Sequence, residues 1–249
     1  MSIALALGTF RLDGGTTYSI TSIEIQETKT VNTNKIPKTD GSIAELGRRD
    51  FITITLDITI SAANNPSLRT ALDNLRAAFQ NGIQKFTLED DRYIMAQMNS
   101  LDKKYINVQR HIELEAVFIA HWPFWLSVAE NEDSRIPTSG VGYTIVNNGN
   151  APARCKISVT ALSSPIADNI EIQNTTNGKS VQYRGTLADY QVFIADNRYT
   201  TDDFIVTNNA VDDTANYEGD FIELAPGNNT IVFTGGLATV DIKWRDCWY

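Results

Sequence analysis

Residues Phe51–Ser61 alternate without a break. Ile52, Ile54, Leu56, Ile58 and Ile60 fall on one side; Thr53, Thr55, Asp57 and Thr59 fall on the other. A period of two is what a half-buried strand requires, because successive side chains point to opposite faces of a sheet. Ile23 and Ile25, set among Glu24 and Gln26, predict an earlier strand of the same kind. The period then changes. Leu68, Ala71, Leu72, Leu75, Ala78 and Phe79 recur at helical spacing along one stripe. Asn65 is suited to cap this helix, Pro66 to its first turn, and Asn81-Gly82 to its end. The spacing predicts a helix over 66–81, laid on a sheet by its leucine face. A hairpin follows, Lys85–Leu88 and Tyr93–Gln97 around Glu89-Asp-Asp-Arg92. The last strand of this half, His111–Ala120, sets Ile112, Leu114, Ala116 and Phe118 against Glu113 and Glu115, and runs into His121-Trp-Pro-Phe-Trp125.

From Glu130 to Gly140 the chain turns polar, which predicts a linker. Beyond it, short alternating runs are separated by turn signals: Asn147-Asn-Gly-Asn150, Asn177-Gly178, Asp196-Asn197, Asn208-Asn209, Pro226-Gly-Asn-Asn229 and Gly235-Gly236. Asn-Gly between alternating runs marks tight hairpins, and many short strands so spaced predict a β-sandwich or barrel. No helical pattern follows residue 130 and no fixed repeat occurs. The chain is therefore expected to be mainly β, with a β-rich domain over 1–130 holding the helix and a β-sandwich over 141–249.

Charge sharpens this division. The 249 residues carry a net charge of -9. Residues 1–125 hold 13 basic and 14 acidic side chains, whereas 126–249 hold 8 and 16. A near-neutral half can pack against copies of itself, and an acidic half is suited to water. An acidic chain is a poor partner for nucleic acid, since phosphate repels it. No run approaches the ~18 apolar residues of a membrane span. Met1–Gly8 lacks the basic start and apolar length of a signal peptide, so the chain is expected to remain in the cytoplasm until assembly or lysis. Cys155 shares parity with Ile157 and Val159 and is expected in the core; Cys247 opposes the parity of Val240, Ile242 and Trp244 and is expected outside. Two free thiols follow.

Candidate chemistry is sparse. Glu89, Asp90 and Asp91 could serve as paired carboxylates or metal ligands, but three acids on a tight turn normally face water. Asp202-Asp203 and Asp212-Asp213 lie in expected loops and are taken the same way. His111 and His121 stand ten apart without a metal-binding or catalytic motif around them. No GxSxG, GxGxxG or GxxxxGK[ST] occurs. Trp122, Phe124 and Trp125 could form a sugar platform or an interface anchor, against the plainer expectation of core packing; Trp244 is expected in the core, with Trp248 and Tyr249 undecided. Nothing nominates a catalytic, cofactor or metal residue.

Several segments together resemble the distal tail protein family of long-tailed bacteriophages, the siphovirus tail components. They are the leucine-striped helix ending at Asn81-Gly82 with Asp90-Asp-Arg-Tyr-Ile94 beyond it, and the apolar strand closing on Trp122-Pro-Phe-Trp125. With them go Asn148-Gly-Asn-Ala-Pro-Ala153, Phe221-Ile-Glu-Leu-Ala-Pro-Gly-Asn-Asn-Thr-Ile231 and the terminal Arg245-Asp-Cys-Trp-Tyr249. The resemblance implies a structural virion protein, not an enzyme, with no cofactor. Its N-terminal domain would form a hexameric ring below the tail tube protein and above a tail hub or tip protein. A C-terminal galectin-like sandwich would project outward, with receptor-binding proteins or side fibres attached nearby and phage DNA crossing the lumen unbound. Cys247 departs from the family by standing where a more basic segment is expected. Two rivals remain: a carbohydrate-binding sandwich acting in adhesion, and a glycan hydrolase using Glu89 or Asp91.

Overall fold

The computed structural model describes residues 6–7, 10–12, 17–29, 33–35, 42–44, 49–80, 82–89, 91–107, 110–162, 165–166, 170–199 and 204–249. The chain divides into two compact units, Met1–Pro123 and Phe124–Tyr249.

The first unit contains β1 (Ala6–Leu7), β2 (Phe10–Arg11), β3 (Tyr18–Lys29), β4 (Thr33–Lys35), β5 (Ser42–Ala44), β6 (Arg49–Ser61), α1 (Asn65–Phe79), β7 (Ile83–Glu89), β8 (Arg92–Asn107) and β9 (His111–Ala120). Its sheet runs β2-β1-β7-β8-β9-β6-β3, antiparallel throughout, and β4 pairs with β5 as a separate hairpin. The isoleucine side of β6 is sealed: Ile52, Ile54, Leu56, Ile58 and Ile60 are buried, with Ile54 opposite Phe118 and Ile58 opposite Leu114 on β9. Leu68, Ala71, Leu72, Leu75 and Phe79 are the buried stripe of α1. Phe79 meets the ring of Phe118 edge-on at 5.1 Å, and Phe86 approaches the same ring at 5.8 Å. Full burial of one such side chain contributes about 1.5–3 kcal/mol, so a few of them suffice to hold the helix down.

The helix begins one residue earlier than expected. Asn64, not Asn65, is the cap: its backbone is extended and its Oδ1 accepts the Ser67 N–H at 3.0 Å. A cap side chain reaches the amide three residues on, so the proline at 66 fits inside the first turn. The helix stops at Phe79, where the Gln80 N–H bonds the Arg76 carbonyl, and Gly82 takes the left-handed φ of 70° that ends such turns. Asn81, the other half of that signal, lies outside the described residues. The expected hairpin is present, with Glu89 opposite Arg92.

The second unit contains β10 (Trp125–Ser127), β11 (Asn131–Arg135), β12 (Gly142–Asn147), β13 (Ala153–Ala161), β14 (Ile170–Asn174), β15 (Lys179–Tyr183), β16 (Val192–Asp196), β17 (Ile205–Asn208), β18 (Val211–Asp212), β19 (Tyr217–Gly219), β20 (Glu223–Leu224), β21 (Gly227–Thr234), β22 (Ala238–Trp244) and β23 (Cys247–Trp248). One sheet runs β11-β22-β13-β16-β17-β18 with β20 on β13; the other runs β12-β21-β14-β15-β19; β10 pairs with β23. Strict alternation buries Cys155, Ile157, Val159 and Ala161 from the first sheet and Ile172, Val181, Ile231 and Phe233 from the second. Tyr183 and Phe193 stack at 4.3 Å and join the two layers. After residue 130 the described residues hold one helical element, a single 3-10 turn at Thr214–Asn216.

Three expectations need correction. The polar stretch 130–140 is not a free linker, because Asn131–Arg135 pairs along its length with β22 as an edge strand. Edge strands carry charge to discourage further pairing, and here Arg135 is salt-bridged to Asp133 while its guanidinium lies 4.2 Å from the Tyr143 ring centre. The Asn-Gly segment Asn147–Asn150 is not a hairpin, since it carries the chain from one sheet to the other, as the Gly235-Gly236 turn also does; Asn177-Gly178 closes a true hairpin, and so does the Asn208-Asn209 turn. Cys247 is fully buried, not outward. Strand β22 ends at Trp244, and Cys247 belongs to β23, which pairs with β10 and bridges Ala151, so parity counted from Trp244 does not cross Arg245-Asp246. Cys155 is buried as expected and both thiols are free.

Candidate interaction surfaces

Asp91 is exposed, while the side chain of Glu89 and residues Asp90, Asp202 and Asp203 lie outside the described set. Asp212 Oδ1 accepts the Thr214 hydroxyl at 2.7 Å, and Asp213 accepts from Asn216 Nδ2 at 2.7 Å and from the Tyr183 hydroxyl. Both therefore hold the 3-10 turn in place. His111 Nδ1 lies 2.8 Å from the Ser61 hydroxyl, and His121 is exposed. Among the described residues, no group of three or more His, Cys, Asp or Glu is placed to hold a metal ion, and no helix is long and apolar enough to cross a membrane.

The aromatic candidates separate. Trp122 is 42% exposed. Phe124 packs on Tyr199 and Tyr249, with ring centres at 5.3 and 5.6 Å. Trp125 is half-buried and pairs with Trp248 across β10 and β23. Trp244 is buried, and its Nε1 donates to Asp246 Oδ1 at 3.2 Å.

The first unit has a polar sheet face opposite its helix. Asp57 and Glu115 stand directly across from each other on β6 and β9, a like-charge pairing that opposes strand association. Lys104 resolves it, with Nζ 2.6 Å from both carboxylates. Lys104 is the extra residue of a β-bulge between the Lys103–Leu114 and Tyr105–Glu113 pairs, and bulges commonly re-aim a side chain. The Ser22 hydroxyl donates to the other Asp57 oxygen at 2.6 Å, so the network spans four strands. The Lys104 and Ser22 hydrogen bonds hold the Asp57 carboxyl below the usual carboxylate range, and the same carboxylates raise the Lys104 amine. Only Asp57, among threonines, hinted at this network in the sequence. Among the described residues, the lateral edge of the sheet beside it is β3, twelve residues long.

In the second unit, two distant segments lock together. Asn148 donates its backbone N–H to Asp246 Oδ1 at 3.0 Å and its Nδ2 to Oδ2 at 3.3 Å. Ala151 N–H bonds the Cys247 carbonyl at 2.9 Å, and Tyr249 N–H bonds Asn150 Oδ1 at 2.8 Å. Three fully buried asparagines pin the Glu223–Gly227 segment: Asn147 donates to the Leu224 carbonyl, Asn174 to the Glu223 carbonyl, and Asn229 to those of Ala225 and Gly227. Asparagine at a turn is a common local signal, and nothing in the sequence marked these three as core.

This domain has known relatives. Residues 148–248 match the family described as siphovirus-type tail component, C-terminal domain. The matched segment is thus similar to the C-terminal domain of structural components of siphovirus tails. The fold of the chain is similar along 100% of both chains to the crystal structure of the Dit protein (gp 19.1) of phage SPP1, described as a paradigm of the hub adsorption apparatus in phages infecting Gram-positive hosts, with a TM-score of 0.77 and 12% identity. It also resembles a chain of the phage P2 baseplate in its activated conformation with calcium, with a TM-score of 0.52, 9% identity and 98% of each chain covered. The corresponding strontium structure gives 0.50, 9% and 97%. At these identities the likeness is one of fold. No curated protein sequence matches.

Proposed function

We propose that the protein is a distal tail protein that closes into a hexameric ring at the virion's tail tip, below the tail tube and above the hub, after assembly in the host cytoplasm. The first unit forms the ring. The second faces outward, where receptor-binding proteins or side fibres attach. The observation that carries this reading is the two-faced sheet of the first unit. One face is closed by α1. The middle of the other holds hydroxyls and the carboxylates of Asp57 and Glu115, with Lys104 neutralised between them.

A ring needs the same heterologous contact repeated around an axis, and a long open edge strand such as β3 supplies unpaired backbone groups for it. A polar, carboxylate-bearing wall lets DNA pass, because its carboxylates repel phosphate. The near-neutral charge of residues 1–125 keeps the repulsion among copies low. The test is complementation of a phage lacking this protein with the full chain, followed by electron microscopy of the tails. A six-fold ring at the tail tip with the first unit innermost is expected; a tip without such a ring, or with the second unit lining the channel, overturns the reading.

A further inference from the structure

Asn-Gly occurs at 81–82, 148–149 and 177–178. Asparagine before glycine is the step most open to hydrolytic loss of its amide, because glycine has no side chain to hinder approach. The chemistry needs no enzyme. The glycine nitrogen gives its proton to hydroxide and attacks the asparagine Cγ. The new N–C bond closes a succinimide, the Cγ–Nδ2 bond breaks, and the amide nitrogen takes a proton from water and leaves as ammonia. Water then opens either ring carbonyl, giving aspartate or isoaspartate. Asn81 lies outside the described residues; Asn148 and Asn177 are both exposed.

Both described steps are locked, at the attacking nitrogen and at the amide. In the β14–β15 hairpin, Gly178 N–H donates to the Asn174 carbonyl at 2.9 Å. Asn177 Oδ1 accepts the Lys179 N–H at 3.1 Å and Nδ2 donates to the Glu223 carbonyl at 2.8 Å. At the other step, Gly149 N–H donates to Asn147 Oδ1 at 3.0 Å. Asn147 is buried and anchored on the Ala151 and Leu224 carbonyls. Asn148 Nδ2 donates to Asp246 Oδ2, and the Asn148 backbone N–H donates to Oδ1 of the same carboxylate. The side chain is therefore turned back toward its own N–H and away from Gly149. The two locks differ in what holds the amide. Backbone groups hold Asn177, whereas one side chain, Asp246, holds Asn148. The reaction also leaves a product that does not refit. Aspartate at 148 sets a second carboxylate against Asp246. Isoaspartate lengthens the backbone of a loop in which even a Cβ on Gly149 would meet the Cys247 backbone.

We propose that Asn148 is a covalent ageing site, silent while Asp246 holds it, whose deamidation unseats β23 irreversibly. The site lies in the second unit and does not depend on how the first assembles. The test incubates the full chain, folded and in urea, at mildly alkaline pH, and reads each asparagine by peptide mass spectrometry with isoaspartate resolved. In the folded parent, Asn148 and Asn177 should each react at least about ten-fold more slowly than in urea, because only molecules with the lock open react. In Asp246→Ala, Asn148 should react about ten-fold faster than in the parent, while Asn177 keeps the parent rate and so reports an intact sandwich. Asn148→Asp installs the product directly. Its Cys247 should react with iodoacetamide about ten-fold faster than in Asn148→Ala, which loses the same hydrogen bond without adding charge. Three results overturn the proposal: Asn148 reacting as fast in the folded parent as in urea, Asp246→Ala leaving Asn148 no faster than the parent or releasing Asn177 equally, and Cys247 equally protected in Asn148→Asp and Asn148→Ala.

Discussion

Asn148 turns both its backbone N–H and its side-chain amide toward the carboxylate of Asp246, at 3.0 and 3.3 Å, across 98 positions of chain. The C-terminal strand β23 is thereby seated against the loop that opens the sandwich. Gly149, the next residue, has no room for a side chain: a Cβ there would lie 1.9 Å from the Cys247 carbonyl oxygen and 2.5 Å from its nitrogen. Both are backbone atoms and cannot swing aside. Gly149→Ala should destabilise the protein by about 2 kcal/mol or more, seen as a lower denaturant midpoint. Asp246→Ala should cost about 1.5–3 kcal/mol, since three donors lose a charged acceptor. An unchanged midpoint for both would mean that the terminal strand contributes nothing to stability.

Asn229 illustrates a second device. Its Oδ1 accepts from Asn174 Nδ2 and the Ala225 N–H at 2.9 and 2.8 Å, and its Nδ2 donates to the Ala225 and Gly227 carbonyls at 2.7 and 2.9 Å. The residue is fully buried. Asn229→Asp keeps the shape but replaces two donors by a charge facing carbonyls, and should cost about 3 kcal/mol. Asn228→Asp, one position earlier and exposed, should fall within about 0.5 kcal/mol of the parent. Equal denaturant midpoints for the two variants would dismiss the network as a source of stability.

What was legible in the sequence was periodic. The alternation of Phe51–Ser61 and the leucine stripe of α1 are dictated by one sealed face each, so the spacing of apolar residues alone reveals them. What was hidden depends on partners distant in sequence. Asn131–Arg135 carries no apolar stripe because an edge strand can be held by its backbone and by Asp133–Arg135 pairing. The Asn147–Asn150 turn has the composition of a hairpin, yet it crosses between sheets, since local turn chemistry does not say which strand comes next. Cys247 was misplaced because Arg245 and Asp246 interrupt the ladder and reset the parity.

The buried thiols make a simple test of the terminal strand. Burial pushes the Cys247 thiol up to about 12 and raises Cys155 as well, and only a thiolate is a good nucleophile. At pH 8, iodoacetamide should label neither cysteine in the native protein and both after unfolding, counted by intact mass. In Asp246→Ala, Cys247 should become reactive before Cys155, because β23 opens first. Rapid native labelling of Cys247 in the parent protein would show that β23 is not seated.

The polar network on the first sheet predicts a pH dependence whose sign is determined. Hydrogen bonds from Lys104, then Ser22, lower the Asp57 carboxyl in the folded state. A carboxyl lowered on folding adds stability that is present above its unfolded value of about 3.9 and lost as pH falls through the folded value. Lys104→Met removes the shared cation and leaves Asp57 facing Glu115 directly across the β6–β9 pair. Like charges opposed in this way are unfavourable, so the variant should melt at a lower temperature at pH 7. As pH falls through the Asp57 value that carboxyl takes up a proton, the repulsion disappears, and the melting temperatures of parent and variant should converge. Each of the three side chains is about a third to a half exposed, so the gap at neutral pH should be small and should shrink further in 1 M salt. Parallel melting curves across the acid range would mean that Lys104 holds neither carboxylate in solution.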